Sequence, residues 1–197
     1  MVVPQSRDGA RSAQALFQGV FWPLYPAEAR RDLASVRESF LNPANDCFLT
    51  ELIDEIAEAF KFLAPSLLGL DADALDDTDA SVHRLGAALT RSRRDSLLNE
   101  RTVGTHRTPL LAMIAIHGTL YVERCIVRNH RGQWFIRKPL WESSVGIQTV
   151  HGDCEMSVFQ WWLKSLSDDE VDQRPLGDRY HRYIESACRG VDRRTLR

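Results

Sequence analysis

The stretch HGTLYVERCIVRNH, residues 117–130, carries His117, Glu123, Cys125 and His130. A thiol, an imidazole and a carboxylate are the parts of a cysteine-nucleophile relay, which works only when the base lies within hydrogen-bond reach of the thiol. If residues 109–128 are helical, each step turns about 100°, so His117, Tyr121 and Cys125 fall within roughly 80° of one another, beside Leu110 and Ile114. Glu123 then points about 120° away from His117 and about 160° from Cys125, so this helix alone cannot assemble the relay. His117 stands in an apolar stripe, where a hydrogen-bonded core histidine is the simpler expectation. A β-hairpin, TLYVERCIVR, NHRG, QWFIRKP, is the alternative, and would bring Tyr121, Glu123 and Cys125 to one face. The long helical run upstream favours the helix. In either arrangement Glu123 is a carboxylate inside an apolar segment. It needs Arg128, Arg137 or a backbone group as partner, or it serves an incoming cation.

A second set, His151-Gly-Asp-Cys154, offers two ligand types for a metal, but zinc prefers four and no second pair stands at ligand spacing. The segment is expected to be a polar turn between a strand and the next helix, and no metal or cofactor is expected. Aspartates 71, 73, 76, 77 and 79 suggest calcium, yet the sixth loop position lacks glycine and the twelfth is Val82, which excludes an EF-hand. They read as an acidic linker that caps the next helix. No phosphate-binding glycine loop, G-x-S-x-G elbow or H-E-x-x-H helix occurs. The enzyme reading left by these residues is a cysteine-dependent reaction using Cys125 or Cys154 with His117, His151 or Glu123 nearby. Two surfaces instead suit a partner: the acidic face carrying Glu51, Glu55 and Glu58, which otherwise is simply a solvated face, and Trp161, which sits off the stripe of Phe159, Trp162, Leu163 and Leu166 and could equally fill a gap against the sheet.

The elements that must position these residues follow from periodicity. Residues 1–15 read as a mobile tail. A helix opened by Pro26 is expected over 26–42, with Leu33, Val36 and Phe40 on one face. Another, capped by Asn45 or Asp46, runs through Leu49, Leu52, Ile53, Ile56, Phe60 and Leu63 and is expected to stop at Pro65. The segment 81–94 predicts a helix whose terminal arginines complement its dipole. From Pro109 a helix hydrophobic nearly all round is the expected buried centre, ending near Asn129 with a turn at Gly132. QWFIRKPLWE and VGIQTVHG predict antiparallel strands. MSVFQWWLKSLSDDE and GDRYHRYIESACR predict closing helices. The fold class is therefore α+β: an N-terminal helical layer over residues 16–70 and an α+β region over 71–197, forming one continuous globule.

At 44% apolar and 26% charged residues, the chain is expected to be globular rather than disordered. No apolar run approaches the roughly 18 residues expected of a spanning segment. With no signal-peptide pattern, a cytoplasmic location is expected. The four scattered cysteines are then free thiols. A formal net charge of −2 gives no general attraction to nucleic acid.

The order Gly118-Thr-Leu-Tyr-Val-Glu-Arg-Cys-Ile-Val-Arg, then Gly132-Gln-Trp, a strand ending Val150-His-Gly and Met156-Ser-Val-Phe-Gln-Trp-Trp-Leu-Lys-Ser-Leu resembles a loose class of bacterial α+β proteins of unknown function. That class has a helix with Gly-x-Tyr-x-Gly-Glu, followed by Gly-x-Trp, two or more strands and an amphipathic helix. The resemblance spans roughly residues 80–186. Here Gly118 and Tyr121 are one residue further apart, and Val122 replaces the second glycine. Some members look like immunity proteins or secretion-system accessory proteins. The resemblance thus implies a non-enzymatic protein that masks or recruits one protein partner. A subunit of a larger bacterial assembly is a variant of the same reading.

Overall fold

The computed structural model describes residues 11–38, 47–102 and 108–189. Ser12 caps the first helix, α1 (Ala13–Leu16), by accepting the Ala15 N–H, and Arg11 pairs with Asp95 and hydrogen-bonds Asp168. The expected tail is therefore anchored from residue 11 onward. The chain continues through a π-helical turn (Phe17–Phe21) and a 3-10 turn (Trp22–Leu24).

The single helix expected over 26–42 is two short ones, α2 (Ala27–Arg31) and α3 (Leu33–Glu38). Asp32 breaks them apart because its carboxylate accepts the Ser35 N–H and hydroxyl, a side-chain-to-backbone bond that competes with helix continuation. Residues 39–46, with Phe40 and the expected caps Asn45 and Asp46, lie outside the described residues.

Helix α4 (Cys47–Leu68) passes through Pro65 instead of stopping there. A proline this close to a helix end removes one backbone bond, and the helix ends a turn later at Gly69, which takes a left-handed φ of 70°. The helix expected over 81–94 also divides, into α5 (Asp79–Ala88) and α6 (Arg91–Asn99). Thr90 caps α6, so the arginines expected to close one helix open the next.

Helix α7 (Leu110–His130) is the centre, and every residue from Gly118 to Ile126 is buried. The helix, and not the hairpin, is what forms. Arg131 supplies the left-handed cap at φ 56° rather than Gly132. By length and hydropathy α7 would pass as a membrane-crossing segment, yet 72% of its apolar window is buried in the globule. It is a core helix. Polar Thr119, Glu123 and Arg124 interrupt its apolar sequence, so no unbroken apolar run marks it.

Strands β1 (Gln133–Phe135), β2 (Ser144–Thr149) and β3 (Gly152–Met156) form one antiparallel sheet in the order β1-β2-β3. Trp134, Val145 and Met156 stand in register and turn inward toward α7. The strand expected through Trp141 ends early, and a 3-10 turn (Leu140–Glu142) follows a cis peptide at Pro139. The expected polar turn at 151–154 is instead mostly strand β3. Helix α8 (Val158–Ser165) and α9 (Leu176–Tyr180), extended by a π-helical turn (His181–Glu185), close the molecule. The buried apolar side chains from Leu16 to Ile184 form one core.

Gly118 shows how closely the layers meet. A Cβ there would lie 2.3 Å from the Trp162 ring and 3.1 Å from that of Phe60. Helices α4 and α8 thus converge on α7 at its one position without a side chain on that face.

Candidate functional site

Helix α7 sends its reactive side chains into different surroundings. Cys125 is fully buried, and burial, aided by the charge of Asp77, pushes its thiol up to about 12. His117, two turns earlier, is half-buried in an apolar recess with Leu24, Met113, Ile116 and Trp141. Burial lowers its pKa, and its ring has no hydrogen-bond partner among the described residues, contrary to the expected bonded core histidine. Neither side chain suits a thiolate–imidazole pair, since nucleophilic cysteines have depressed pKa values.

Glu123 is fully enclosed, and among the described residues neither carboxyl oxygen completes a well-formed hydrogen bond, although the Val158 N–H approaches it. Burial holds its pKa well above the usual carboxylate range, with Glu142 adding to this and the Val158 N–H and Arg137 opposing it. The expected arginine partners are committed elsewhere. Arg128 reaches Asp54 and Asp77, while Arg137 bonds Glu155 at 2.8 Å, the Ser144 hydroxyl and the Glu142 carbonyl. Burial thus favours the protonated form of Glu123, and the side chain is closed to an incoming cation.

Glu142 is buried too, but it has partners. Arg37 grips it through Nε and a terminal nitrogen at 2.8 and 2.9 Å, and the Tyr25 hydroxyl donates to it. This ties the N-terminal helices to the sheet layer. Nothing in the spacing of Tyr25, Arg37 and Glu142 announces it, because the contact spans more than a hundred residues.

The acidic segment 71–79 is a structural clasp. Asp77 sits at φ 64° and collects Arg124 at 2.6 Å, Lys61 at 2.9 Å and Arg128 at 3.2 Å. Burial would raise its carboxyl, but the hydrogen bonds from Lys61 and Arg124 outweigh that and hold it below its ordinary value. Asp79 similarly accepts from Tyr180 at 2.7 Å and Asn129 at 3.0 Å, and faces His130 at 3.1 Å. Thr78, not an aspartate, caps α5. Among the described residues no group of three or more His, Cys, Asp or Glu side chains could hold a metal.

His151 and Cys154 are both exposed on the β2–β3 hairpin, and no hydrogen bond joins them. His151 is therefore not held as a base for that thiol.

The two proposed partner surfaces fare differently. Trp161 is 7% exposed and stacks on Tyr183, ring centroids 5.6 Å apart. It fills the core and does not present a surface. Glu58, on α4, pairs with buried Arg124 at 2.7 Å, so part of its role is internal. Glu51 and Glu55 are exposed, and on either side of them along α4 the solvent face carries apolar side chains. Phe62 is 81% exposed, Phe48 67% and Leu63 48%. Sequence periodicity found the buried stripe of α4 through Phe60, but Leu63, expected to continue it, is exposed, and Phe48 and Phe62 lie on the face that reads as acidic.

With this geometry described, comparison with known proteins adds no neighbour: no family model, curated protein or solved structure matches the chain.

Proposed function

We propose that this protein acts without catalysis, binding a single protein partner through the solvent face of α4 and masking or recruiting it. An immunity-like or accessory role in the bacterial cytoplasm is the fuller form of this reading, and rests on the resemblance noted in the sequence. The observation that carries the binding reading is the exposure of Phe48 and Phe62 on one helix face. Scattered exposed apolar residues need no explanation, but these lie fourteen positions apart, two heptads, with Leu63 beside the second. Burying a phenylalanine is worth about 1.5–3 kcal/mol, and aromatic side chains are common interface anchors.

The charge pattern describes the partner. Glu55 lies midway between the two rings, about 10 Å from each along the axis at 1.5 Å per residue. Were a second copy to cover this face with its phenylalanines paired, Glu55 would meet Glu55 in either helix orientation. That repulsion argues against self-association and against a homomeric assembly through this surface. It favours a different protein with a lysine or arginine between two apolar recesses. Single substitutions on the face provide the test. Phe62→Ala and Glu55→Lys must each weaken partner capture while leaving the unfolding midpoint near that of the wild type.

A further inference from the structure

A second, unrelated site lies where α5 packs against α9 and the π-helical turn. A cavity of about 470 Å3 opens there, lined by Arg174, Arg179, Arg182, His83, His181 and Tyr183. We propose that this cleft binds a phosphate group, carried on a small phosphomonoester or as the free anion, through Arg174, Arg182 and Arg179.

The chemistry of the lining supports this. Three arginines line the cleft with one carboxylate, Asp178, and among the described residues only Arg179 is engaged by a further acid, Glu170, in a chain whose formal net charge is −2. Arg174 and Arg182 are exposed and have no ion-pair partner among the described residues. Arg179 is the more buried, with a side-chain exposure of 12%, and pairs with Glu170. Its Nε is nevertheless buried without a hydrogen-bond acceptor among the described residues, and burial together with Arg182 lowers its pKa. An anion in the cleft would relieve both the lost solvation and the repulsion between neighbouring cations. Guanidinium forks match phosphate oxygens in geometry, and several convergent donors favour a dianion with three terminal oxygens over a single carboxylate.

The rest of the cleft is organised to leave those donors available. Glu185 already takes His83 at 3.1 Å and His181 at 2.6 Å, so that carboxylate is occupied by imidazoles. Gly177 is needed for this approach, since a Cβ there would fall 2.8 Å from His83 Nδ1. Tyr183 is 41% exposed at the rim, and its ring is fixed by stacking on Trp161. The volume lies within the roughly 300–1,000 Å3 usual for small-molecule sites and exceeds what phosphate alone fills. A ring such as a pentose can lie against Tyr183.

The experiment is a titration of the full chain with inorganic phosphate and, separately, ribose 5-phosphate, followed by backbone amide NMR shifts at constant ionic strength set with sodium chloride. Saturable shifts in residues 174–185, weakened at least tenfold in Arg174→Gln/Arg182→Gln, are expected. Both arginines are exposed, so the double variant should keep its unfolding midpoint, and the single variants serve if it does not. Tighter binding of ribose 5-phosphate identifies an ester as the ligand class, and saturation by inorganic phosphate alone identifies the free anion. Shifts no larger than sodium chloride produces, or binding undiminished by the substitutions, would overturn the proposal.

Discussion

Residue types with chemical potential are easy to find in this chain, but their reactivity depends on surroundings set far away in sequence. Glu123 is the clearest case. Its folded pKa is raised, so the folded state holds a proton that the unfolded chain releases above its ordinary carboxyl range. Stability from this group is full below about pH 4.5 and is lost as pH rises toward the folded pKa. Glu123→Gln removes that dependence. Relative to wild type, the variant should gain about 1.4 kcal/mol per pH unit across the window. Urea unfolding at several pH values between 4 and 8 measures it, and a constant difference between the two proteins would show that Glu123 is ionised in the fold. The thiols divide in the same way. Alkylation at neutral pH should label exposed Cys154 rapidly and Cys188 more slowly, with Cys125 reacting only on unfolding, since burial raises the Cys125 thiol to about 12. Rapid labelling of Cys125 in the folded protein would restore the cysteine-enzyme reading. The sequence showed which residues could react. It could not show that Arg137 and Arg128 are taken by other carboxylates.

At the level of elements, long and strongly periodic segments were legible and their interruptions were not. Helix α7 was readable because apolar residues recur on nearly all sides. Strand β3 was not, because Gly152, Asp153, Cys154 and Glu155 are exposed on an edge and carry no apolar alternation. The breaks at Asp32 and Thr90 were hidden too, since apolar spacing continues across them while a polar side chain caps the following turn. Gly118 tests how the elements meet. Ala would add helix propensity worth about 1 kcal/mol, but overpacking against Trp162 costs about 1–3 kcal/mol, and a contact of 2.3 Å places it at the upper end. Gly118→Ala should therefore lower stability by about 1–2 kcal/mol. Gly19→Ala should leave stability unchanged or raise it, because nothing lies within 4 Å of the added carbon. Equal effects in thermal unfolding would mean that α4 and α8 do not converge on α7 as described.

Over the whole molecule, the small net charge averages two opposed surfaces. The face of α4 joins Glu51 and Glu55 to exposed phenylalanines, and the cleft beside α9 gathers arginines. The sequence pointed to the acidic half of the first surface, because glutamates at helical spacing stand out. Phe48 and Phe62 fall outside the expected apolar stripe, and only the packing of α4 on α7 shows that they face solvent. Trp161 was misplaced for the converse reason: its offset from the α8 stripe is filled by Tyr183 from a distant turn. The binding of one partner through α4 is the central claim. The most direct measurement is the dissociation constant of the captured partner for wild type, Phe62→Ala and Glu55→Lys, with Tyr183→Ala as a control outside that face. The account predicts at least tenfold weaker binding for the two α4 variants, a loss of about 1.4 kcal/mol or more, and no change for the control. Wild-type affinity in both α4 variants would contradict it.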